Sequence, residues 1–498
     1  MAPVDAMAAS GQLSPNRGSG RADARTRRLP AWLEDDRPHE ECGIFAVSGS
    51  PAAAELTFLG LYALQHRGQE SAGIVTIDET GRARAYRGMG LVSEVFDDVA
   101  LGRLPGSTAL GHVRYSTAGG SELRNAQPVL VDYRHGPLAL AHNGNLTNAE
   151  ELRDRLTREG AIFQTDSDSE VVIHLIARSR RESESQQVDD ALSQLVGAFS
   201  LVLNIGPVVY VARDPRGFRP LVLGRLGEAA IVASETCALD IIGALHERDV
   251  EPGEVLRIEN GCVESLRPLE PAAHAACLFE LVYFARPDSR MWGCSVDRAR
   301  RAFGRRLARE HPAEADCVIS VPDSSNSAAL GFSEESGLPF ELGLIRNHYV
   351  GRTFIQPTQA ARDFKVRVKY NPVSGVISGR RVVVVDDSLV RGTTSRGLVT
   401  LLREAGAREI HFRVASPPIR HPCYYGIDMP TKEELIGSTH TVRQIRDHLG
   451  VDSLGYLSMQ GMLEEVAGHG PFCDACWTGD YQAPLVDLEQ EFPVESPR

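Results

Sequence analysis

Arg381-Val-Val-Val-Val-Asp386-Asp387-Ser388-Leu389-Val390-Arg391-Gly392-Thr393-Thr394-Ser395 is the stretch whose reading decides the fold. Four successive β-branched residues predict a strand buried on both faces, as in a parallel sheet. Two adjacent carboxylates end the strand, followed by a short turn rich in Gly and hydroxyls and a helical pattern from Arg396 to Ala405. In open α/β sheets, ligands bind outside the carboxyl ends of the strands. The backbone N–H groups and hydroxyls of such a turn can wrap a phosphate at the helix N-terminus. Two carboxylates beside a phosphate nest repel each other and any anion unless something positive or hydroxyl-rich lies between them. A ribose diol with Mg²⁺ meets both needs.

The segment resembles the 5-phosphoribosyl-1-pyrophosphate (PRPP) loop of type I phosphoribosyltransferases. The resemblance assigns Asp386, Asp387, Ser388, Arg391, Gly392, Thr393, Thr394 and Ser395 to PRPP. The alternative is an ordinary buried strand with an acidic edge and an N-cap. A second strand–turn–helix unit runs through Cys317-Val-Ile-Ser-Val321 and Pro322-Asp323-Ser324-Ser325-Asn326-Ser327. In the resembling family, Ser324 joins the two acidic residues around Mg²⁺; as a plain helix cap it would serve Asn326–Ser327 instead.

The chain has 498 residues, too many for one core, so two domains are expected. It is 42% hydrophobic and 24% charged, and no apolar run approaches a bilayer span. The net charge of −13 argues against nucleic acid as a main partner, while leaving room for a local basic pocket. Residues 1–30 are rich in Ala, Gly, Ser and Arg, as transit peptides are. They lack an apolar stripe, and Pro15 and Pro30 interrupt any long helix. A disordered extension and a cytoplasmic protein are the expectation.

Glu40-Glu41-Cys42-Gly43-Ile44-Phe45-Ala46-Val47 opens an apolar run on a cysteine, which alone suggests packing. Downstream come Leu64–Gly73, with His66-Arg67-Gly68-Gln69, then Gly111–Gly119, with His112-Val113-Arg114-Tyr115-Ser116-Thr117. His142-Asn143-Gly144-Asn145-Leu146 and Thr165-Asp166-Ser167-Asp168-Ser169-Glu170 follow. The ordered set resembles the glutaminase domain of N-terminal-nucleophile amidotransferases. Attack on a glutamine amide needs a thiolate, a base and donors for the tetrahedral oxyanion. Cutting between Glu41 and Cys42 would place an α-amino group, with a pKa near neutrality, on the nucleophile's own residue. The resemblance makes Cys42 the nucleophile and Asn143 and Gly144 the oxyanion hole. Arg114 pairs with the glutamine α-carboxylate, Asp168 takes its ammonium, and Tyr115 and Thr117 lie near the pocket. Arg67 is a weaker candidate for supporting the site. A 41-residue propeptide is implied, because removing Met1 cannot expose Cys42.

Nine cysteines, an odd number, speak against a disulfide framework. Cys473-Asp-Ala-Cys476 has spacing that fits zinc, a redox disulfide or one side of an iron–sulfur cluster. Cys277-Leu-Phe-Glu280-Leu-Val-Tyr283-Phe-Ala-Arg286, His421-Pro-Cys423-Tyr424-Tyr425-Gly426 and Pro471-Phe-Cys473-Asp-Ala-Cys476 resemble the cluster-bearing branch of glutamine PRPP amidotransferases. That resemblance makes Cys277, Cys423, Cys473 and Cys476 ligands of one structural [4Fe–4S] cluster per subunit, beside one Mg²⁺. Cys237, Cys262, Cys294 and Cys317 are expected in the core.

Beyond about residue 40 the chain resembles that family throughout. The implied division is a 1–41 extension and propeptide, a 42–275 αββα glutaminase domain, and a 276–498 phosphoribosyltransferase domain with a parallel sheet. The implied function joins PRPP and glutamine in the opening step of purine synthesis, in a homotetramer inhibited by purine nucleotides. Arg346–Ile355 opens a locally basic loop, with Arg362, Lys365, Arg367 and Lys369, that the resemblance makes a lid carrying Arg352 over PRPP. Two other classes compete: an amidotransferase with a different acceptor domain, which Asp386-Asp387 argues against, and a non-catalytic nucleotide sensor, which the intact glutaminase set argues against.

Overall fold

A computed structural model describes residues 42–115, 120–347 and 366–487. The 1–41 extension, Thr117, Arg352 and most of the expected lid lie outside these residues.

Two antiparallel sheets form the N-terminal half. In the seven-stranded sheet, Gly43–Ser48 is central, between Ala229–Ala233 and Thr108–Arg114. In the six-stranded sheet, Gly136–Leu146 pairs with Gly197–Ile205 from Leu138 to Leu146. Strand alternation sorts side chains between layers. Ile44 and Ala46 join Ala139, Ala141 and Val202 between the sheets, while Phe45 and Val47 face Leu61 of the helix Ala53–Ala63. On the far side, Leu138, Leu140 and Leu201 pack against Leu152, Leu156 and Ile176 of the helices Ala149–Arg158 and Glu170–Arg178. This is the αββα sandwich that the sequence implied. The polar stretch Glu184–Leu192 forms a helix, whose capping Ser183 hydroxyl accepts from the Gln186 N–H.

A four-stranded parallel sheet organises the C-terminal half, in the order Cys317–Ser320, Arg381–Asp386, Glu409–Val414, Ser453–Tyr456. Val382 to Val385 are fully buried, as four β-branched residues in a row predict. They divide between two faces: Val383 and Val385 meet Phe303 and Phe332, and Val382 and Val384 meet Leu398, Leu402 and Phe412. The following helix begins at Thr393, three residues before the periodicity suggested, because Gly392 at φ +81° turns the chain directly into it. Leu398, Val399, Leu401 and Leu402 give it a buried stripe.

The turn before Asn326–Ser336 is held by that helix's close crossing with Val296–Glu310. A Cβ on Gly304 would lie 1.9 Å from the Ala328 carbonyl oxygen, and one on Gly331 2.0 Å from that of Arg301. Backbone meets backbone here, so neither neighbour can yield by changing rotamer. We expect Gly304→Ala to lower stability by about 1–3 kcal/mol, outweighing the ~1 kcal/mol gained in helix propensity. A reduced urea midpoint reads this out; an unchanged midpoint would contradict the close crossing.

Candidate active sites

Cys42 precedes the central strand of the first sheet and is half-buried, its Sγ 3.6 Å from the Tyr115 carbonyl oxygen. Burial pushes its thiol up to about 11, against the lowering effect of the nearby Arg114 guanidinium. Arg67 is 1% exposed and donates from Nε to the Cys42 carbonyl oxygen at 3.3 Å. Its two terminal nitrogens reach Glu280, at 3.0 and 2.6 Å, and Nη1 also meets Glu235 Oε1 at 2.5 Å. Burial would lower the guanidinium's pKa, but Glu280 and Glu235 more than reverse that and lock the charge in place.

Asn143 and Gly144 stand on the second sheet. A hydrogen bond of 3.0 Å joins the sheets there, from His112 Nε2 to the His142 carbonyl oxygen. Asn143 is fully buried, and among the described residues neither its Nδ2 nor its Oδ1 has a hydrogen-bond partner. An unsatisfied buried amide costs about 1–3 kcal/mol, a cost tolerated where a ligand supplies the missing partner. Asp168 accepts from the Leu146 N–H at 3.0 Å and from Ser169 Oγ at 3.0 Å, with His142 Nδ1 at 3.5 Å. Burial would raise its carboxyl, but His142 and these donors hold it down at about 2. It remains an anion ready for a cation. Arg114 is buried and lies 3.8 Å from Glu70.

The second centre lies at the carboxyl end of Arg381–Asp386. Asp386 and Asp387 are buried, and hydroxyls converge on them. Ser324 Oγ donates to Asp387 Oδ2 at 2.5 Å. Ser325 Oγ lies 3.1 Å from Asp386 Oδ1 and 3.0 Å from Asp387 Oδ2. Ser388 Oγ donates to Asp387 Oδ1 at 2.8 Å. Oxygen donors of this kind suit a hard divalent cation such as Mg²⁺. Arg391 is turned to Glu434, 3.3 Å away.

The four cysteines singled out by the sequence line one pocket, with Phe218, Arg219, Tyr425 and Tyr481. Cys277 and Cys473 are register partners in a short parallel ladder, and the Tyr425 N–H donates to Cys423 Sγ at 3.3 Å. Burial pushes Cys277 up to about 11, with Arg219 pulling the other way. Burial and the mutual repulsion of the four sulfurs push Cys473 and Cys476 well up. Such thiols give up their protons to a bound metal. Among the described residues no three His, Cys, Asp or Glu side chains converge closely enough for one metal ion. Four thiols facing one pocket have the donor chemistry of a soft-metal or iron–sulfur site. All nine cysteines are free; Cys237, Cys294 and Cys317 are buried as expected, whereas Cys262 is exposed, at the start of the sheet-edge strand Cys262–Ser265.

A family described as "Glutamine amidotransferase domain" matches residues 112–240. The chain is 52% identical over 458 residues to amidophosphoribosyltransferase 1, chloroplastic, of Arabidopsis thaliana, covering 92% of this chain and 81% of that protein. It is 50% identical to the amidophosphoribosyltransferase of Bacillus subtilis, covering 89% and 94%. The chain belongs to the amidophosphoribosyltransferase family. A structure of the B. subtilis glutamine PRPP amidotransferase complexed with ADP and GMP superposes with a TM-score of 0.85 at 49% identity, over 89% of this chain and 98% of that one. Another structure, titled as the allosteric regulatory enzyme of purine biosynthesis, gives 0.86 at 50% identity, over 89% and 97%.

Of the residues the sequence singled out, Cys42, Arg114, Tyr115 and Asp168 are brought near one another, and Asn143 and Gly144 stand on the second sheet, where Leu146 of the same strand donates to Asp168. Asp386, Asp387 and Ser388 gather with Ser324 and Ser325, while Gly392 to Ser395 lead into the following helix. Ser324 does not cap its helix: its hydroxyl goes to Asp387. Ser325, at the cap position, makes no capping bond and shares the carboxylates. Nothing in the sequence separated Ser325 from its neighbour. Glu280, Glu235 and Arg219 were also missed as site residues, although a lone carboxylate in Leu-Phe-Glu280-Leu-Val-Tyr-Phe is itself a signal of a buried, paired charge.

The Cys42 environment makes a testable statement about the chain that still carries Glu41. Its alkylation by iodoacetamide should climb about tenfold per pH unit past pH 9 and level off near 11, since only the thiolate reacts. A plateau at the ordinary value near 8.5 would contradict the burial seen here.

Proposed function

We propose that the chain converts PRPP, glutamine and water to 5-phospho-β-D-ribosylamine, glutamate and diphosphate, the first committed step of de novo purine biosynthesis. The supporting observation is that one chain holds two chemically different centres, a buried thiol influenced by Arg114 and Asp168 and a hydroxyl-ringed carboxylate pair. Residues 42–275 are read as the glutaminase domain and 276–498 as the phosphoribosyltransferase domain, with 1–41 removed as a propeptide.

Removal of the propeptide supplies a base that the high thiol pKa makes necessary. The freed α-amino group of Cys42 takes the thiol proton as sulfur attacks the glutamine amide carbon. Asn143 Nδ2 and the Gly144 N–H stabilise the oxyanion, while Arg114 and Asp168 hold the substrate's α-carboxylate and ammonium, with Tyr115 and Thr117 beside them. Collapse of the adduct gives ammonia and a thioester, which water hydrolyses to glutamate. Ammonia then attacks C1 of the ribose and diphosphate leaves. Free ammonia becomes mostly ammonium in neutral water, so transfer inside the protein keeps it nucleophilic.

Ser324, Asp386 and Asp387 would hold Mg²⁺, which when bound offsets the charge of the diol-binding carboxylates and the departing diphosphate. The Gly392–Ser395 turn cradles phosphate, with Ser388, Arg391 and Arg352 contributing polar contacts. Cys277, Cys423, Cys473 and Cys476 would hold a [4Fe–4S] cluster, which when bound cross-links the segments that carry them. Purine nucleotides as inhibitors are supported by the ADP and GMP in the B. subtilis structure. A cytoplasmic homotetramer completes the reading. No described helix is long and apolar enough to cross a membrane, and the plant relatives are named chloroplastic.

Diphosphate release from PRPP, measured with glutamine and with ammonia, tests this function. Cys42→Ala should abolish the first and retain the second; loss of both would leave Cys42 a structural role. The purified protein should contain iron and acid-labile sulfide in equal amounts, with broad visible absorption. A fully active zinc-loaded or metal-free protein would refute the cluster.

A further inference from the structure

Tyr424, Tyr425 and Gly426 belong to the C-terminal half, yet all three make contacts reaching the Cys42 centre. Gly426 packs its backbone on Gly144: a Cβ there would lie 3.0 Å from the Gly144 Cα and carbonyl carbon and 3.2 Å from its oxygen. Gly426 also has φ +112°, so the position excludes side chains twice over. Asn145 Nδ2 donates to the Tyr424 carbonyl oxygen at 3.1 Å. The Tyr425 carbonyl oxygen accepts from Arg219 Nε at 3.0 Å, and Arg219 pairs with Glu280 at 3.4 Å. Glu280 in turn grips Arg67, which holds the Cys42 carbonyl.

The segment needing this support is visible in the sheet. Gly136–Leu146 pairs with Gly197–Ile205 on one side from Leu138 to Leu146, but the neighbour on its other side, Val129–Tyr133, pairs no further than Leu140. Residues 141–146 thus have one strand partner, and among the described residues the Asn143 side chain has no hydrogen bond of its own to fix it. We infer that the Tyr424–Gly426 turn is a positioning element for glutamine hydrolysis: it sets the spacing between Cys42 and the Asn143–Gly144 donors from the opposite half of the chain. Gly426 and the Tyr424 carbonyl act on the donor side, and the Tyr425 carbonyl acts on the nucleophile side through Arg219, Glu280 and Arg67. Displacing preorganised donors by a fraction of an ångström weakens oxyanion stabilisation without changing how substrate binds. The inference rests on the reading of Asn143 and Gly144 as the oxyanion hole.

The test uses the full processed enzyme with Asn143→Ala, Gly426→Ala and Asn145→Ala. Each is measured for glutamine kcat and KM, for ammonia-dependent diphosphate release, and for Cys42 modification by iodoacetamide and by a diazoketone analogue of glutamine. Gly426→Ala should lower glutamine kcat at least about tenfold, a fraction of the loss from deleting a donor outright. KM and ammonia-dependent activity should stay near those of the parent. The diazoketone should react more slowly while iodoacetamide, which needs no oxyanion donor, reacts as before. Asn145→Ala should do the same more weakly, and it decides the matter if Gly426→Ala fails to fold. Unchanged kcat in the folded variants, or equal loss of both activities, overturns the inference. If Asn143→Ala itself leaves kcat unchanged, the oxyanion reading fails instead.

Discussion

A single buried carboxylate, Glu280, sits between two buried arginines, and the two halves of the chain are arranged around it. Arg67 and Arg219 approach it from the N-terminal half, all three side chains being essentially inaccessible to water. Taking such charges out of water costs several kcal/mol per ion, and removing one member strands the rest at on the order of 3–5 kcal/mol. The arrangement persists because every charge is answered: Arg67 by Glu235 and the Cys42 carbonyl, Arg219 by the Tyr425 carbonyl. A network with those demands tolerates one geometry, so the nucleophile and the cysteine-lined pocket share a reference point.

The two centres differ in how they handle charge. Around Cys42 the groups await a ligand: a thiol kept protonated by burial, an amide without a partner among the described residues, and a carboxylate kept ionised. At Asp386 and Asp387 the carboxylates are instead occupied with the hydroxyls of Ser324, Ser325 and Ser388. The first pattern suits covalent attack on an amide. The second suits a diol and a cation, with no proton transfer asked of the carboxylates.

The Cys42 centre is not independent of the C-terminal half, because Gly426 presses on Gly144 and the Tyr424 carbonyl holds Asn145. The turn making these contacts follows Cys423 directly, so the pocket of thiols lies three residues along the chain from the backbone that touches Gly144. Ammonia made at one centre is useful only when the other is ready for it. A shared scaffold of this kind ties the geometry of supply to the half of the molecule that consumes the product.

The sequence by itself determined the elements and the chemistry of both centres. Four consecutive valines before Asp386-Asp387 read as a strand buried on both faces, while the two-sheet sandwich was implied by resemblance to a family. The residue types at Cys42, Asn143, Asp168 and the four cysteines were ambiguous singly; the resemblance of their ordered set to that family implied their chemistry. What it left open was every relation between residues distant in the chain. The Arg67–Glu280 pair spans 213 positions and the Gly144–Gly426 contact 282, and neither has a local periodicity to betray it. As letters, Ser324 could have been a helix cap; only the fold shows that its hydroxyl and that of Ser325 both turn to Asp387 and neither caps the helix. Local pattern reports which surface a residue must bury. Only the folded chain, where desolvated charges and backbones must find partners, decides against what.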